Sequence, residues 1–422
     1  MKIQSVKGFH DVLPADSARW NAIEERARRV FAAYNFREIR IPIVERSELF
    51  SRSLGDTTDI VEKEMYTFLD RDETSLTLRP EGTASVVRAY VEHALHQESP
   101  TARLFYFGPM FRRERPQKGR LRQFSQIGVE VLGRDDAAAD AEVLLLLADL
   151  LAAFGVTSAE IHVNTLGCRE CRPAYREALV EWGRARLDSL CQDCGRRIEQ
   201  NPLRLLDCKQ PGCVAVRDGA PRMLERCCAA CRAHFDRVLA LLRAEGVEAN
   251  LQPYMVRGLD YYCRTAFEVI ASGLGAQNAI GGGGRYDGLV QGLGGPDVAG
   301  VGFALGVERL VMVLAQSGFS VDEQPEFAVL PVGLQAETAA FGVAHRLRGG
   351  GARVALESGE KSLKSQMRQT DKQGARYAII LGEDELASRA LTLRDLAARR
   401  DLPKAVGLDC SLDELRGALA GR

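Results

Sequence analysis

Between Arg122 and Val131 two kinds of position alternate: Arg122, Phe124, Gln126, Gly128 and Glu130 fall on even numbers, Ile127, Val129 and Val131 on odd ones. Strand side chains point to opposite faces in turn, so the pattern predicts a strand with one face in a core. The other face carries an aromatic ring, an amide and a carboxylate in a row. The preceding run "RLFYFGPMFRRERP" is strand-like as well, and the basic turn "PQKGR" joins the two as a hairpin. Arg112 and Glu114 share parity on that first arm and are expected to extend the polar row. Burying an amide and a carboxylate is costly unless something pairs with them. The row therefore predicts a ligand with ammonium or imidazole nitrogens, and the planar fork of Arg112 suits a phosphate. A solvated edge with scattered charges is the alternative.

Elsewhere the pattern predicts an amphipathic helix over residues 15 to 35, then a strand "FREIRIPIVE" whose Pro42 suits an edge or an interface. "SLTLRP" is strand-like, Pro80-Glu81-Gly82 is a turn, and "TASVVRAYVEHAL" is a helix with Thr83 as its cap. Further on, "YMVRGLDYYCRTAFEVI" resumes the strand pattern, and "GVGFALGVERLVMVLAQSG" is a strand entering a helix with Glu308 and Arg309 at the junction. Hairpin-length links between mixed elements predict an α+β domain built on an antiparallel sheet. A helical, cysteine-rich stretch at about 168 to 245 interrupts it as an insertion. Beyond the polar linker "VDEQPE", the segments "FAVLPV", "ARVALE" and "RYAIILGEDE" alternate with helical patterns, as a small α/β domain does. The expected domains are residues 1–325, interrupted by the insertion, and 326–422.

At 422 residues the chain is long enough for such a division. Its 56 basic and 57 acidic residues leave a net charge of -1, so a polyanionic partner must be held by local patches. It contains no apolar run near membrane-spanning length and no signal-like start, which points to the cytoplasm and to no membrane partner. Nine of the eleven cysteines lie between Cys168 and Cys231. In a reducing compartment such clustering argues for metal before disulfides. The candidate pairs are Cys168/Cys171, Cys191/Cys194, Cys208/Cys213 and Cys228/Cys231. A continuous helix between the first two pairs would hold them roughly 25 Å apart, too far for one ion. Cys191 and Cys194 with Cys228 and Cys231 are therefore the favoured Zn2+ ligands, with unliganded thiols as the alternative.

"FRRERPQKGRLRQFSQIGVEVLG" resembles motif 2 of the class II aminoacyl-tRNA synthetases, "GVGFALGVERL" resembles motif 3, and "IRIPIVE" with Pro42 is similar to motif 1. "VRGLDYYCRTAFEV" and "GGGGRYDGL" resemble the histidine-specific signatures of the histidyl-tRNA synthetase family, and the likeness extends over nearly the whole chain. It implies a histidine-tRNA ligase that joins L-histidine to ATP and passes the histidyl group to tRNA(His), with Mg2+ accompanying ATP. Glu81, Gly82, Thr83 and Gln126 would hold the histidine backbone, Glu130 and Tyr262 its imidazole, with Tyr261 and Tyr286 closing the pocket. Arg112, Glu114, Arg120, Phe124 and Arg309 would bind ATP, and Arg257 with Arg112 would flank the reacting phosphate. Gln117 and Arg122 would meet the tRNA acceptor end, and a basic stripe on Lys361, Lys364, Arg368, Lys372 and Arg376 would contact RNA from a C-terminal anticodon-binding domain. Solvated surface is the alternative for both, plain core for Tyr286, and a flexible turn for Gly281 to Gly284. The motif 1 region implies a homodimer. The rival is the synthetase-like regulatory subunit of ATP phosphoribosyltransferase, which would lack Arg257, Arg309 or the C-terminal domain; all three are present. A non-catalytic zinc module would explain the insertion and nothing else.

Overall fold

The alternating segment around Gly128 lies inside an eight-stranded sheet, which is why its odd positions are fully buried. In chain order the strands are β1 (Arg37–Glu38), β2 (Ala102–Phe111), β3 (Gln123–Leu132), β4 (Ala159–Thr165), β5 (Ala249–Leu251), β6 (Cys263–Ala271), β7 (Ala279–Arg285) and β8 (Gly300–Gly306). Across the sheet the order is β1-β2-β3-β8-β7-β6-β4-β5. The two outermost pairs are parallel and every inner pair is antiparallel. The computed structural model describes residues 3–55, 58–274, 278–402 and 406–420. It forms two compact units, Met1–Ser320 and Val321–Arg422.

One face of the sheet is closed by helices α1 (Pro14–Ala33), α3 (Ala137–Phe154), α6 (Ala229–Ala244) and α7 (Val307–Gln316). Ile127, Val129 and Val131 meet Phe31 of α1, Leu147 of α3, Val238 of α6 and Leu310 of α7 in a single apolar core. Helix α3 starts where the Asp136 carboxylate accepts the Ala139 N–H at 3.0 Å, and stops at Gly155, whose φ of 83° suits a residue without a side chain. The opposite face carries the polar row. Short helix α2 (Thr83–Glu92) leads into it from that side.

Three local expectations are corrected. "FREIRIPIVE" is not one strand: Arg37–Glu38 pairs with β2, whereas Val44–Arg46 joins a separate three-stranded sheet with Ser75–Leu78 and Tyr66–Leu69. The Arg79 guanidinium holds the crossover, donating to the carbonyls of Ile41 at 2.6 Å and Pro109 at 2.9 Å. Strand β2 ends at Phe111, so Arg112 and Glu114 lie in the hairpin loop and strand parity does not govern them. Thr83 is not the cap of α2; the Glu81 carboxylate is, accepting the N–H groups of Thr83 at 2.7 Å and Ala84 at 2.8 Å.

Gly281 to Gly284 form the middle of β7 rather than a flexible turn. A Cβ on Gly283 would sit 2.0 Å from the Gly302 carbonyl, and one on Gly282 would sit 2.8 Å from Arg257 Nη1. Bare backbone lets a neighbouring strand and an arginine approach together.

The insertion contains α4 (Arg172–Arg184) and α5 (Gln192–Gln200) among shorter turns, around its own small core. Its last helix, α6, is tied to the eight-stranded sheet by a buried network. Asp140 of α3 pairs with Arg285 of β7, and His234 of α6 donates to Asp140 at 2.7 Å. The second unit has a sheet ordered Val354–Leu356, Phe327–Pro331, Tyr377–Leu381, Ala390–Asp395, Arg400–Asp401. Its first three strands are parallel, as the alternating pattern predicts.

Candidate active site

The polar face of β3 forms the floor of a pocket. Glu81, Thr83, Gln126, Tyr261 and Tyr262 line it together with Arg112, Glu114, Arg120, Phe124, Arg257 and Arg309. Gly82, Glu130 and Tyr286, expected beside them, do not line it and form a buried layer behind. Thr83 Oγ1 donates to Glu130 Oε1 at 2.7 Å, and the Tyr286 hydroxyl donates to its other oxygen. Tyr286 is thus neither plain core nor a pocket wall; it positions a carboxylate. Burial pushes the Glu130 carboxyl up to about 8, although both hydroxyl donors act to lower it. Burial likewise raises the Glu81 carboxyl, against the helix N–H groups that it caps. Gln126 keeps a buried side-chain oxygen without a hydrogen-bond partner, which marks the middle of the floor as a place for a ligand's donor.

At the mouth, Arg112 Nε donates to the Pro80 carbonyl at 2.9 Å, and its guanidinium lies 5.3 Å from the Phe124 ring centre. That contact fixes the arginine beside the turn that precedes α2. Arg120 and Glu114 pair at 2.7 Å across the loop. Arg309, on the first turn of α7, donates to the carbonyls of Gly119 at 3.0 Å and Ala279, so the loop is anchored to the strand-to-helix junction. Glu308 accepts the Ser125 N–H at 2.8 Å, and burial raises its carboxyl to about 7. Arg257 pairs with Glu268 of β6 and lies 5.4 Å from the Tyr262 ring centre. Burial acts to lower its pKa, but the Glu268 charge prevails and holds it up.

Among the residues expected to meet tRNA, Gln117 is exposed at the hairpin tip. Arg122 is half-buried at the base of the hairpin, where its Nε donates to the Glu114 carbonyl at 3.1 Å. Lys364, Arg368 and Lys372 are exposed on the helix Leu363–Gln373; Lys361 and Arg376 flank that helix rather than extend its face.

Sequence reasoning missed Tyr106, Glu268 and Glu308 as parts of the site. Tyr106 stands opposite Gly128 in the β2–β3 register, and its ring occupies the space that a Cβ on Gly128 or Gly82 would need, at 2.2 and 2.3 Å. A tyrosine facing a glycine across a hairpin is the signal that would have found it.

The cysteine pairing is corrected outright. Cys191 and Cys194 do not meet Cys228 and Cys231. The sulfurs form two separate groups, Cys168, Cys171, Cys228 and Cys231 in one and Cys191, Cys194, Cys208 and Cys213 in the other. Helix α4 does separate the first two pairs, but the chain after α5 doubles back and brings Cys208 and Cys213 to the start of that helix. The two ends of the insertion meet at its root and bring Cys168 and Cys171 to the start of α6. Cys263 is buried packing: its sulfur accepts the Asp287 N–H, and burial raises its thiol to about 12.

Nucleotide sites of parallel α/β sheets sit beyond the strand ends, whereas this pocket lies on the face of an antiparallel sheet. With a strand–loop–strand hairpin and a strand-to-helix junction as its walls, that is the arrangement of a class II aminoacyl-tRNA synthetase. The family model described as Histidyl-tRNA synthetase matches residues 8–310, and that described as Anticodon binding domain matches residues 326–419. The histidine-tRNA ligase of Trichlorobacter lovleyi is 53% identical over 403 residues, 96% of each chain. That of Geobacter sulfurreducens is 52% identical over 93% of this chain and 94% of its own. The crystal structure of apo S. aureus histidyl-tRNA synthetase superposes with a TM-score of 0.80 at 34% identity, covering 97% of this chain and 98% of that one. The chain belongs to the histidyl-tRNA synthetase family. A Bacillus halodurans C structure described as an ATP phosphoribosyltransferase regulatory subunit/histidyl-tRNA synthetase has a TM-score of 0.66 at 19% identity, covering 90% of this chain and 99% of that one, and shares the fold.

Proposed function

We propose that this pocket activates L-histidine with ATP, with the histidine laid along β3 and the triphosphate across the hairpin loop. The chain is a histidine-tRNA ligase. A histidine carboxylate oxygen attacks the α-phosphorus, the bond to the β-phosphate oxygen breaks, and pyrophosphate leaves. The terminal ribose hydroxyl of tRNA(His) then attacks the histidyl carbonyl and AMP departs. The attacking carboxylate needs no activating base, so the pocket must supply position and positive charge. Arg112 and Arg257 stand where they can take the charge that grows on the α-phosphate; Arg309 and Arg120 suit the outer phosphates. Phe124 offers its ring to adenine. Glu114 and Glu308 line the same pocket and are the carboxylates available to Mg2+ arriving with ATP. Bound Mg2+ would neutralise phosphate charge; the chain's own arginines hold the rest.

The observation that carries this reading is the graded floor of the pocket. Glu130 is held by two hydroxyls at the back, the unpartnered amide oxygen of Gln126 is midway, and Phe124 lies beside Arg112 at the mouth. A floor built from such partners favours a ligand with polar nitrogens at one end and phosphates at the other. Exposed Ile43 and Val44, with Phe68 and Leu69 on the same small sheet, support a homodimer formed through the motif 1 region. The C-terminal unit is assigned to the anticodon, and the working compartment to the cytoplasm. Among the described residues no helix is long and apolar enough to cross a membrane.

The test is exchange of labelled pyrophosphate into ATP by the purified chain. Exchange should require histidine, with phenylalanine at least roughly 10^4-fold poorer because the buried polar groups assigned to the imidazole, Glu130 and Tyr262, would meet an apolar ring. Arg257→Ala should lower it by about a thousandfold. Exchange that is indifferent to histidine, or normal in the variant, would remove this assignment.

A further inference from the structure

We propose that the insertion holds two zinc ions, one in the quartet Cys168, Cys171, Cys228, Cys231 at its root and one in the quartet Cys191, Cys194, Cys208, Cys213 in its outer lobe. In each quartet all four sulfurs lie within 4.8 Å of one another. Tetrahedral zinc with Zn–S bonds of about 2.3 Å sets its sulfurs about 3.8 Å apart. The closest pairs match: Cys191 and Cys208 are 3.8 Å apart, Cys171 and Cys231 3.9 Å, Cys168 and Cys171 3.5 Å. An iron–sulfur cluster would need its thiolates spread around a larger core, and a disulfide would bring two sulfurs to about 2.05 Å. The spacing suits a single ion.

A second observation is independent of spacing. The two quartets share the same backbone arrangement around their helix-capping pairs, although the partner pairs, Cys168/Cys171 and Cys208/Cys213, come from unrelated segments. Cys191 caps α5 and Cys228 caps α6. The N–H of the cysteine three residues on points at each capping sulfur at 3.5 Å, Cys194 to Cys191 and Cys231 to Cys228. The capping residue's own N–H points at a sulfur of the opposite pair, Cys191 to Cys213 at 3.2 Å and Cys228 to Cys171 at 3.1 Å. Backbone donors aimed at sulfur offset negative charge on a thiolate, and four thiolates around Zn2+ carry a net charge of about -2. The core of the insertion is otherwise thin. Five of its buried members are these cysteines, beside Tyr175, Leu179, Trp182, Ile198 and a few others, and a lobe of this size needs a staple. The root site joins the two strands of chain by which the insertion leaves and rejoins the sheet; the outer site closes the lobe on itself.

The experiment is elemental analysis of the full chain purified without chelator, together with Cys168→Ser and Cys208→Ser. We expect about two zinc ions per parent chain and about one in each variant. If either variant fails to fold, cobalt(II) substitution of the parent decides: two tetrahedral sulfur sites should give strong thiolate-to-cobalt charge-transfer absorption for two equivalents. Little or no zinc with all eight thiols freely reactive in the folded parent overturns the proposal. So does iron in place of zinc, a single ion per chain, or disulfides within either quartet. Because none of these readings uses aminoacylation, their failure leaves the ligase assignment untouched.

Discussion

Glu130, buried behind the pocket floor, is the residue whose ionisation is most open to test. Its folded-state pKa of about 8 lies above the ordinary carboxylate value of 4.5. The fold therefore binds the proton more tightly than the unfolded chain does, and stability is lost as pH rises from about 4.5 to about 8 and stays level above that. Urea unfolding of the ligand-free chain across that range should show this decline, and Glu130→Gln should make it shallower, leaving the part due to Glu81 and Glu308. Equal slopes in the two proteins would mean that Glu130 is ionised in the empty pocket. Glu130, Gln126 and Phe124 were legible because strand alternation is local: three residues in one register declare their face. Glu268 was not, since it acts through Arg257 on a segment whose pairing no local pattern reveals, and Tyr106 could be found only by pairing the two hairpin arms in register with Gly128. Glu81 was expected to meet substrate, but its helix-capping role depended on where α2 begins, and Thr83 looked like the better cap.

Among the elements, β7 and the insertion show two ways in which pattern fails. A run of four glycines has no periodicity, so only the carbonyls and the arginine packed against it explain the bare backbone. The cysteines had the opposite fault: their short spacings were clear, and the pairing of pairs was not, because it depends on where the chain doubles back after α5. The buried join between insertion and sheet makes a separate prediction. Asp140 is fully buried between Arg285 and His234, and burial, which would raise its pKa, is outweighed by those partners, so it stays ionised. Asp140→Ala leaves the buried Arg285 with only the half-buried Asp287, 3.0 Å away, as counter-charge and should cost about 3 kcal/mol in the unfolding of the first unit. A loss under roughly 1 kcal/mol would show that the guanidinium finds other partners.

At the scale of the whole molecule, the two-unit division was legible as a change from hairpin-linked strands to alternating strands and helices, because each unit needs its own core. A chain ending at Ser320 keeps every residue assigned to histidine and ATP, and should retain histidine-dependent exchange while charging tRNA poorly. Replacing Lys364, Arg368 and Lys372 with glutamate in the full chain should weaken tRNA binding and flatten its salt dependence by about two to three counterions. Charging at full affinity by the shortened chain would take anticodon recognition away from the second unit. The sheet order has a further consequence for how the first unit comes into being. Strand β8 is the last of the eight to be synthesised, yet it sits between β3 and β7. Until Gly306 has emerged from the ribosome, β3 and β7 lack the strand that pairs with both, and the pocket, which draws on both sides of it, is incomplete. The edge of β3 thus stays open from Leu132 until β8 is made, and a chain released before Gly300 offers it, with that of β7, to other chains. The strand that completes the catalytic floor is also the one that ends this aggregation hazard.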